Sequence, residues 1–273
     1  MVIGVQKFRD HFREFTNSFV VIGGVACDEW LRSQNLPLFR PTRDLDMVLV
    51  TESLRPEFVA KFWEFVNAGR YEIRQKATGE RIYYRFSKPA QADYPAMIEV
   101  FSRQPGGIDL VEGQQVVPIK LDDERFSLSA ILMNDSYYRL VLENRQVVDG
   151  LSVVTATALI PLKAHAWSDL MKRKAAGEND GNEDDIKKHR KDVFRLAAGL
   201  PAVPGPAIPQ SIREDLRGFV ASFPADSPEW DDILKSLRAF LGAAVPSHQD
   251  LLNALDVYFG LGGDAHSKED DKT

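Results

Sequence analysis

Cysteine is almost missing from this chain, with Cys27 the only one in 273 residues. A lone thiol excludes an internal disulfide and leaves too few thiolates for a structural zinc cluster. Next to a glycine pair in a helix-forming stretch, it reads as a small buried apolar residue, and redox chemistry drops out. Long apolar runs are missing too. None approaches the ~20 residues that cross a bilayer, and the N-terminus lacks the charged, apolar and small-residue order of a secretory signal. The expectation is a cytoplasmic protein with no membrane partner. Nor is there an excess of positive charge. With 34 basic and 40 acidic residues the net charge is −6, so the overall balance announces no nucleic-acid partner. Part of the acid excess lies in residues 263–273, which have almost nothing to bury and are expected to be disordered.

What is present is a globular composition. A hydrophobic share of 44% is enough to build a core in one large domain or two modest ones. Phe8, Phe12 and Phe15 recur at helical spacing among charges and predict an amphipathic helix over the core; Phe58, Phe62 and Phe65 repeat the pattern in a helix from Pro56 to Ala68. Strands are expected at residues 71–74, 81–86, 96–101, 116–121, 138–148 and 152–154, with turns at Ala77-Thr78-Gly79 and Pro105-Gly106-Gly107. From Thr155 onward strand signals vanish. Helices are expected at residues 156–174 and 186–198, joined by a polar loop at 176–182. Beyond the prolines 201, 204, 206 and 209, three more are expected, opened by Ser211, Ser227 and Ser247 as caps. The fold class is therefore α/β with a mixed sheet at residues 1–155, followed by an all-α helical domain at 156–262, with a cleft between the two as the place for a ligand.

The chemistry concentrates between Phe19 and Val50. An apolar β-like run, Phe19-Val20-Val21-Ile22, meets Gly23-Gly24 and a helical stretch from Val25 to Arg32. The chain then reaches Arg40-Pro41-Thr42-Arg43-Asp44-Leu45-Asp46 and a second apolar run. In a strand, side chains two apart share a face, so Asp44 and Asp46 present their carboxylates together while Leu45 and Met47 face the core. Magnesium takes oxygen ligands and is usually held by one or two carboxylates, with phosphates and water completing the octahedron. A nucleotide is a natural second component. Gly23 and Gly24 have no Cβ to keep a phosphate away, and the N–H groups of the following helix favour an anion.

A glycine pair at a strand-to-helix turn, followed by Thr-x-Asp-hydrophobic-Asp on the next strand, resembles the signature of the DNA polymerase β-like nucleotidyltransferase superfamily. That superfamily carries a third carboxylate on a later strand, which Glu99 supplies within Ala96-Met97-Ile98-Glu99-Val100-Phe101, where Asp is the commoner residue. The loop around Ser33 to Phe39 is longer than its usual pattern. The stretches from Leu159 to Trp167 and from Lys188 to Leu196 resemble the downstream motifs of AbiEii-type (AbiEii/AbiGii) nucleotidyltransferase toxins, and the likeness runs over residues 19–200. The resemblance implies that Lys163 and Asp192 belong to the active region. It also implies nucleotide transfer to RNA, commonly tRNA 3′ ends, and pairing with a cognate antitoxin.

The expected reaction is transfer of a nucleoside monophosphate from an NTP to an acceptor, with pyrophosphate leaving in line. Two Mg2+ (or Mn2+) ions roughly 3.5–4 Å apart can clamp the attacking and leaving oxygens, held by Asp44, Asp46 and Glu99. Thr42 and Arg43 contact the triphosphate or orient the carboxylates, with a structural ion pair the equal alternative for Arg43. In its apolar helical setting the Lys163 ammonium needs a partner, and the expectation is contact with the nucleotide's phosphates or a catalytic carboxylate; outside the resemblance Lys163 reads as a snorkelling surface lysine and Asp192 as a helix-surface partner of Lys188 or Arg195. His165 reads as a packing or hydrogen-bonding residue within its helix. The run Lys187-Lys188-His189-Arg190-Lys191 is either an RNA contact or a solvated face paired with Glu183, Asp184 and Asp185. Two other functions stay open, an antibiotic- or metabolite-modifying nucleotidyltransferase and a nucleotide-binding module without turnover.

Overall fold

The computed structural model describes residues 3–37, 39–75, 81–103, 116–119, 128–177 and 183–262. The expected turns at 77–79 and 105–107, most of the 176–182 loop and the tail at 263–273 lie outside the described residues. The chain divides into two compact units, Met1–Ala158 and Leu159–Thr273.

Unit 1 is a mixed sheet with helices. Its helices are α1 (Val5–Phe12), α2 (Gly23–Ser33), α3 (Pro56–Gly69) and α4 (Asp135–Glu143). Its strands are β1 (Phe19–Ile22), β2 (Asp44–Leu49), β3 (Glu72–Gln75), β4 (Arg81–Ser87), β5 (Met97–Ser102), β6 (Val116–Ile119), β7 (Leu128–Leu132), β8 (Arg145–Val148) and β9 (Leu151–Val154). They form one sheet in the order β3-β4-β5-β2-β1-β9-β8, with β7 paired to β5 and β6 to β7. The central pairs alternate in sense: β1 runs antiparallel to β2, and β2 parallel to β5.

The side-chain period of two gives each strand two faces. On one face Phe86, Ile98 and Leu45 stand in register across β4, β5 and β2, all fully buried. On the same face Phe19 meets Phe8 and Phe12 of α1 and Phe58 of α3, at ring-centroid distances of 5.4–5.9 Å, while Phe86 meets Phe62 at 5.3 Å. The helical spacing of the phenylalanines thus builds the core, and such pairs add about 0.5–1.5 kcal/mol each beyond their area.

One expected strand is a helix at its start. Residues 138–148 divide into the end of α4 and the strand β8, because Asn134 caps the helix by accepting from the Ser136 N–H at 2.8 Å. Tyr137, Tyr138, Leu140 and Val141 then fall at helical spacing and are buried. The Tyr138 hydroxyl donates to Glu52 at 2.7 Å and accepts from the Thr51 N–H at 3.0 Å, which ties α4 to the segment after β2. Asp149 and Gly150, both with positive φ, make the two-residue turn between β8 and β9, as primed hairpin turns require. β7 has no counterpart among the strands expected from the sequence.

In unit 2 the described regular elements are helices. They are the body of α5 (Ala156–Ala175, whose first turn belongs to unit 1), α6 (Glu183–Ala197), α7 (Gln210–Ala221), α8 (Glu229–Leu241) and α9 (His248–Phe259). Trp167, Phe194, Phe219, Phe223 and Trp230 form its core. Of the three serines expected to cap helices, Ser247 does so in a reciprocal box with Asp250. Ser211 lies inside α7, and Pro209 and Pro228 take the cap positions of α7 and α8 without a side-chain bond. A proline presets the dihedral angle that a helix start needs.

Phe12 is fully buried and touches five phenylalanine rings. Phe12→Ala is expected to cost about 3–5 kcal/mol, read as a lower urea midpoint at unchanged slope. A loss below about 1 kcal/mol would contradict this packing.

Candidate functional site

The carboxylate strand is assembled by register. Ile22 of β1 pairs with Asp46 of β2, Asp46 with Glu99 of β5, and Glu99 with Arg85 of β4. Lateral neighbours in a sheet point to the same face, so Asp46, Glu99 and Arg85 form one charged row, on the face opposite Phe86, Ile98 and Leu45. Asp44 shares this face two residues before Asp46 and pairs with Met97. Asp44, Asp46 and Glu99 are all half-buried, and the residues between them are fully buried.

The glycine pair has a reason the sequence did not reveal. Gly23 has φ +67°, in the left-handed region, and a Cβ there would come within 2.0 Å of Asp46 Oδ2. A Cβ on Gly24 would come within 2.8 Å of Thr42 Oγ1. What stands against these glycines is therefore the chain's own Asp46 and Thr42, and a side chain at either position would displace them or the turn. Asp46 stands at the start of α2, where Ile22 offers no side-chain cap and the helix dipole favours a negative group.

The approach to β2 is held from α2. The buried Asp28 accepts from the Phe39 N–H at 3.2 Å and from Arg32 Nη2 at 2.6 Å, which ties down the long loop ahead of Thr42. The Arg43 carbonyl accepts from the Ala96 N–H at 2.9 Å, extending the β2–β5 pairing. Thr42 is half-buried and Arg43 is exposed. Asp28 and Arg85 escaped the sequence reading. Arg85 alternates correctly with Phe86, but its place beside Glu99 depends on a strand register that sequence does not state.

The donor set suits a hard divalent cation in part. Two aspartates on one strand face are what magnesium takes from a protein when phosphates supply the remaining oxygens. Among the described residues, however, no three His, Cys, Asp or Glu groups are gathered closely enough to hold a metal ion. Glu99 is engaged by Arg85 instead, whose Nε and Nη2 both reach Oε1 at 2.5 Å.

In unit 2 the structure brings Lys163 and Asp192 together. Lys163 Nζ lies 3.1 Å from Asp192 Oδ2, with both side chains buried, and Arg195 Nη1 donates to Asp192 Oδ1 at 3.2 Å while its Nη2 donates to Ser236 Oγ at 2.6 Å. The expected Arg195 partner is real, but Asp192 is fully buried and not on a helix surface. Lys188 pairs with Asp185. Removing one member of a buried pair leaves an uncompensated charge, which typically costs about 3–5 kcal/mol.

The basic run is largely spent within this unit. Arg190 and Lys191 both pair with Asp232, at 2.9 and 2.8 Å, His189 is half-buried, and Lys187 is the exposed member. His165 bonds outside its own helix, with Nδ1 3.3 Å from Asp215 Oδ2 on α7.

No family model and no curated protein matches the chain. Among solved structures it is similar to the crystal structure of an antigenic nucleotidyltransferase-like protein from Paracoccidioides brasiliensis, at 13% identity and a TM-score of 0.36, over 86% of this chain and 95% of that one. So slight a likeness fixes neither a fold nor an activity for this chain. No helix among the described residues is long and apolar enough to cross a membrane.

Two outcomes test this geometry. Gly23→Ala must move Asp46 or the turn, so it is expected to lower the melting temperature; an unchanged value would mean that the Asp46 carboxylate yields at no cost. His189 is pushed down to about 3, by burial first and then by the charges of Lys163 and Lys188, and its buried Nδ1 has no hydrogen-bond partner. An unfolded histidine takes its proton near pH 6.5 and the folded one only near 3. The unfolded state therefore binds more protons between these values, and stability falls as pH drops through that window. His189→Gln should flatten the acid limb of a stability profile by at most about 1.4 kcal/mol per pH unit.

Proposed function

We propose that this chain is a nucleotidyltransferase that moves a nucleoside monophosphate from an NTP to an acceptor. The observation that carries the reading is the contact of Gly23 with the Asp46 carboxylate, in a row of Asp46 and Glu99 with Asp44 on the same face. A glycine turn locked onto an acidic strand suits a triphosphate whose charge is shared between helix N–H groups and cations on the acids. It also accounts for the Gly-Gly and Asp-Leu-Asp spacing of the superfamily that the sequence resembles.

Asp44 and Asp46 would hold Mg2+ or Mn2+, and Glu99 would complete the set on the acceptor side. When bound, such ions neutralise the triphosphate and activate the attacking oxygen. The chain's own contribution is orientation. Gly23 and Gly24 leave the room that Asp46 and Thr42 occupy beside the turn, and Asp28 steadies the loop that carries Thr42 and Arg43. Thr42 and Arg43 are placed to meet phosphate oxygens or to orient the acids. The buried Lys163–Asp192 pair matches the residues that the AbiEii-type resemblance marks as part of the active region.

That resemblance also gives the finer reading, in which the acceptor is RNA at a tRNA 3′ end and the protein is a toxin with a cognate antitoxin. One observation favours a second acceptor class. The basic run keeps little free charge for a phosphate backbone, because Arg190, Lys191 and Lys188 are paired internally. A small hydroxyl-bearing molecule needs no such stripe.

The test is the full chain with Mn2+ or Mg2+, each α-labelled NTP, total RNA and a pool of small metabolites. Label on RNA is the expected result, and Asp44→Ala and Asp46→Ala should each lower transfer by roughly 10²- to 10³-fold. Label on a small molecule alone would select the second acceptor. Label on neither, with triphosphate still bound, would leave a binding module without turnover.

A further inference from the structure

The pairing of Glu99 with Arg85 is not part of the three-acid arrangement, and it bears on how that arrangement forms. In the sheet β4 lies on the other side of β5 from β2. Arg85 therefore approaches Glu99 from the side away from Asp46, in the same lateral row. Both of its contacting nitrogens fall on one oxygen, Oε1. The Arg85 side chain is 36% exposed and Glu99 15%, so the arginine is the more solvent-accessible member of the pair.

Resting on the nucleotidyl-transfer reading above, we propose that Arg85 is an internal counter-ion that draws Glu99 away from Asp46 until a triphosphate arrives and gives the guanidinium other oxygens to bind. Arg85 and a divalent cation compete for the same carboxylate charge, so each weakens the hold of the other. A triphosphate presents several anionic oxygens, and a guanidinium binds such groups through two parallel N–H bonds. Its arrival releases Glu99 to join Asp44 and Asp46. Cation and triphosphate binding then strengthen one another by a common factor, as linkage requires. The arrangement accounts for the want of a three-group metal cluster among the described residues on a face where register brings three acids together. Arg85 is a positioning residue in this scheme, acting through Glu99.

The opposite role predicts the opposite sign. A partner that merely orients a metal-binding carboxylate raises affinity, and its removal typically costs 10–100-fold. The experiment is Mn2+ titration of the full chain, followed by the electron paramagnetic resonance of free Mn2+, with and without non-hydrolysable α,β-methylene nucleoside triphosphates. Arg85→Met keeps an aliphatic stem; it is expected to tighten Mn2+ binding in the absence of nucleotide roughly fivefold and to shrink the enhancement the triphosphate brings. Arg85→Gln carries the same expectation where Met perturbs the strand, and in a Glu99→Gln background neither change should matter. Unchanged or weaker Mn2+ binding in both Arg85 variants overturns the proposal, leaving nucleotidyl transfer in place if Asp46→Ala still abolishes Mn2+ uptake. If the unaltered protein takes up no Mn2+ with the triphosphate present, both readings fall together.

Discussion

Everything in unit 1 that bears on function depends on strand register. Because β2 and β5 run parallel with Asp46 opposite Glu99, Leu45, Met47, Ile98 and Val100 share one fully buried face, and Asp44, Asp46 and Glu99 share the other. A slip of one residue would bury Asp46 and expose Leu45. The register is held on its buried face by Leu45, Ile98 and Phe86, all fully buried, with Phe86 against Phe62 of α3. Hydrophobic packing on one face thus fixes the geometry of charge on the other.

The glycine turn locks a second coordinate. Strand pairing sets the height of Asp46, and its closeness to Gly23 sets how near the start of α2 it stands. Asp28, two turns or less along the same helix, anchors the loop that leads into β2. One helix therefore holds both ends of the segment that carries Thr42, Arg43, Asp44 and Asp46, and the long loop from Ser33 to Phe39 does not loosen the site.

Unit 2 has a different logic. Its interior carries charge as well as aromatic rings, with Lys163, Asp192 and Arg195 linked among buried side chains and a half-buried neutral His189 nearby. Burying an ion pair seldom adds net stability over an apolar core. Here each charge has a partner within the unit, Lys163 and Arg195 both on Asp192, so the arrangement leaves no uncompensated charge among these three.

Periodicity in the sequence settled much of this protein. Alternation placed Asp44 and Asp46 on one face, helical spacing of phenylalanine gave α1 and α3, and the loss of strand signals after Thr155 separated a sheet-bearing half from a helical one. These are local properties, because period and composition act within a few residues of chain. The start of α4 escaped because a run of Tyr, Leu and Val suits strand and helix alike until a cap such as Asn134 chooses. The pairing of Arg85 with Glu99, the pressure of Asp46 and Thr42 on the two glycines, and the internal use of Arg190 and Lys191 were decided only by tertiary structure. Each joins residues distant in sequence, and the identity of a charged partner follows from which elements pack together, which no local pattern encodes.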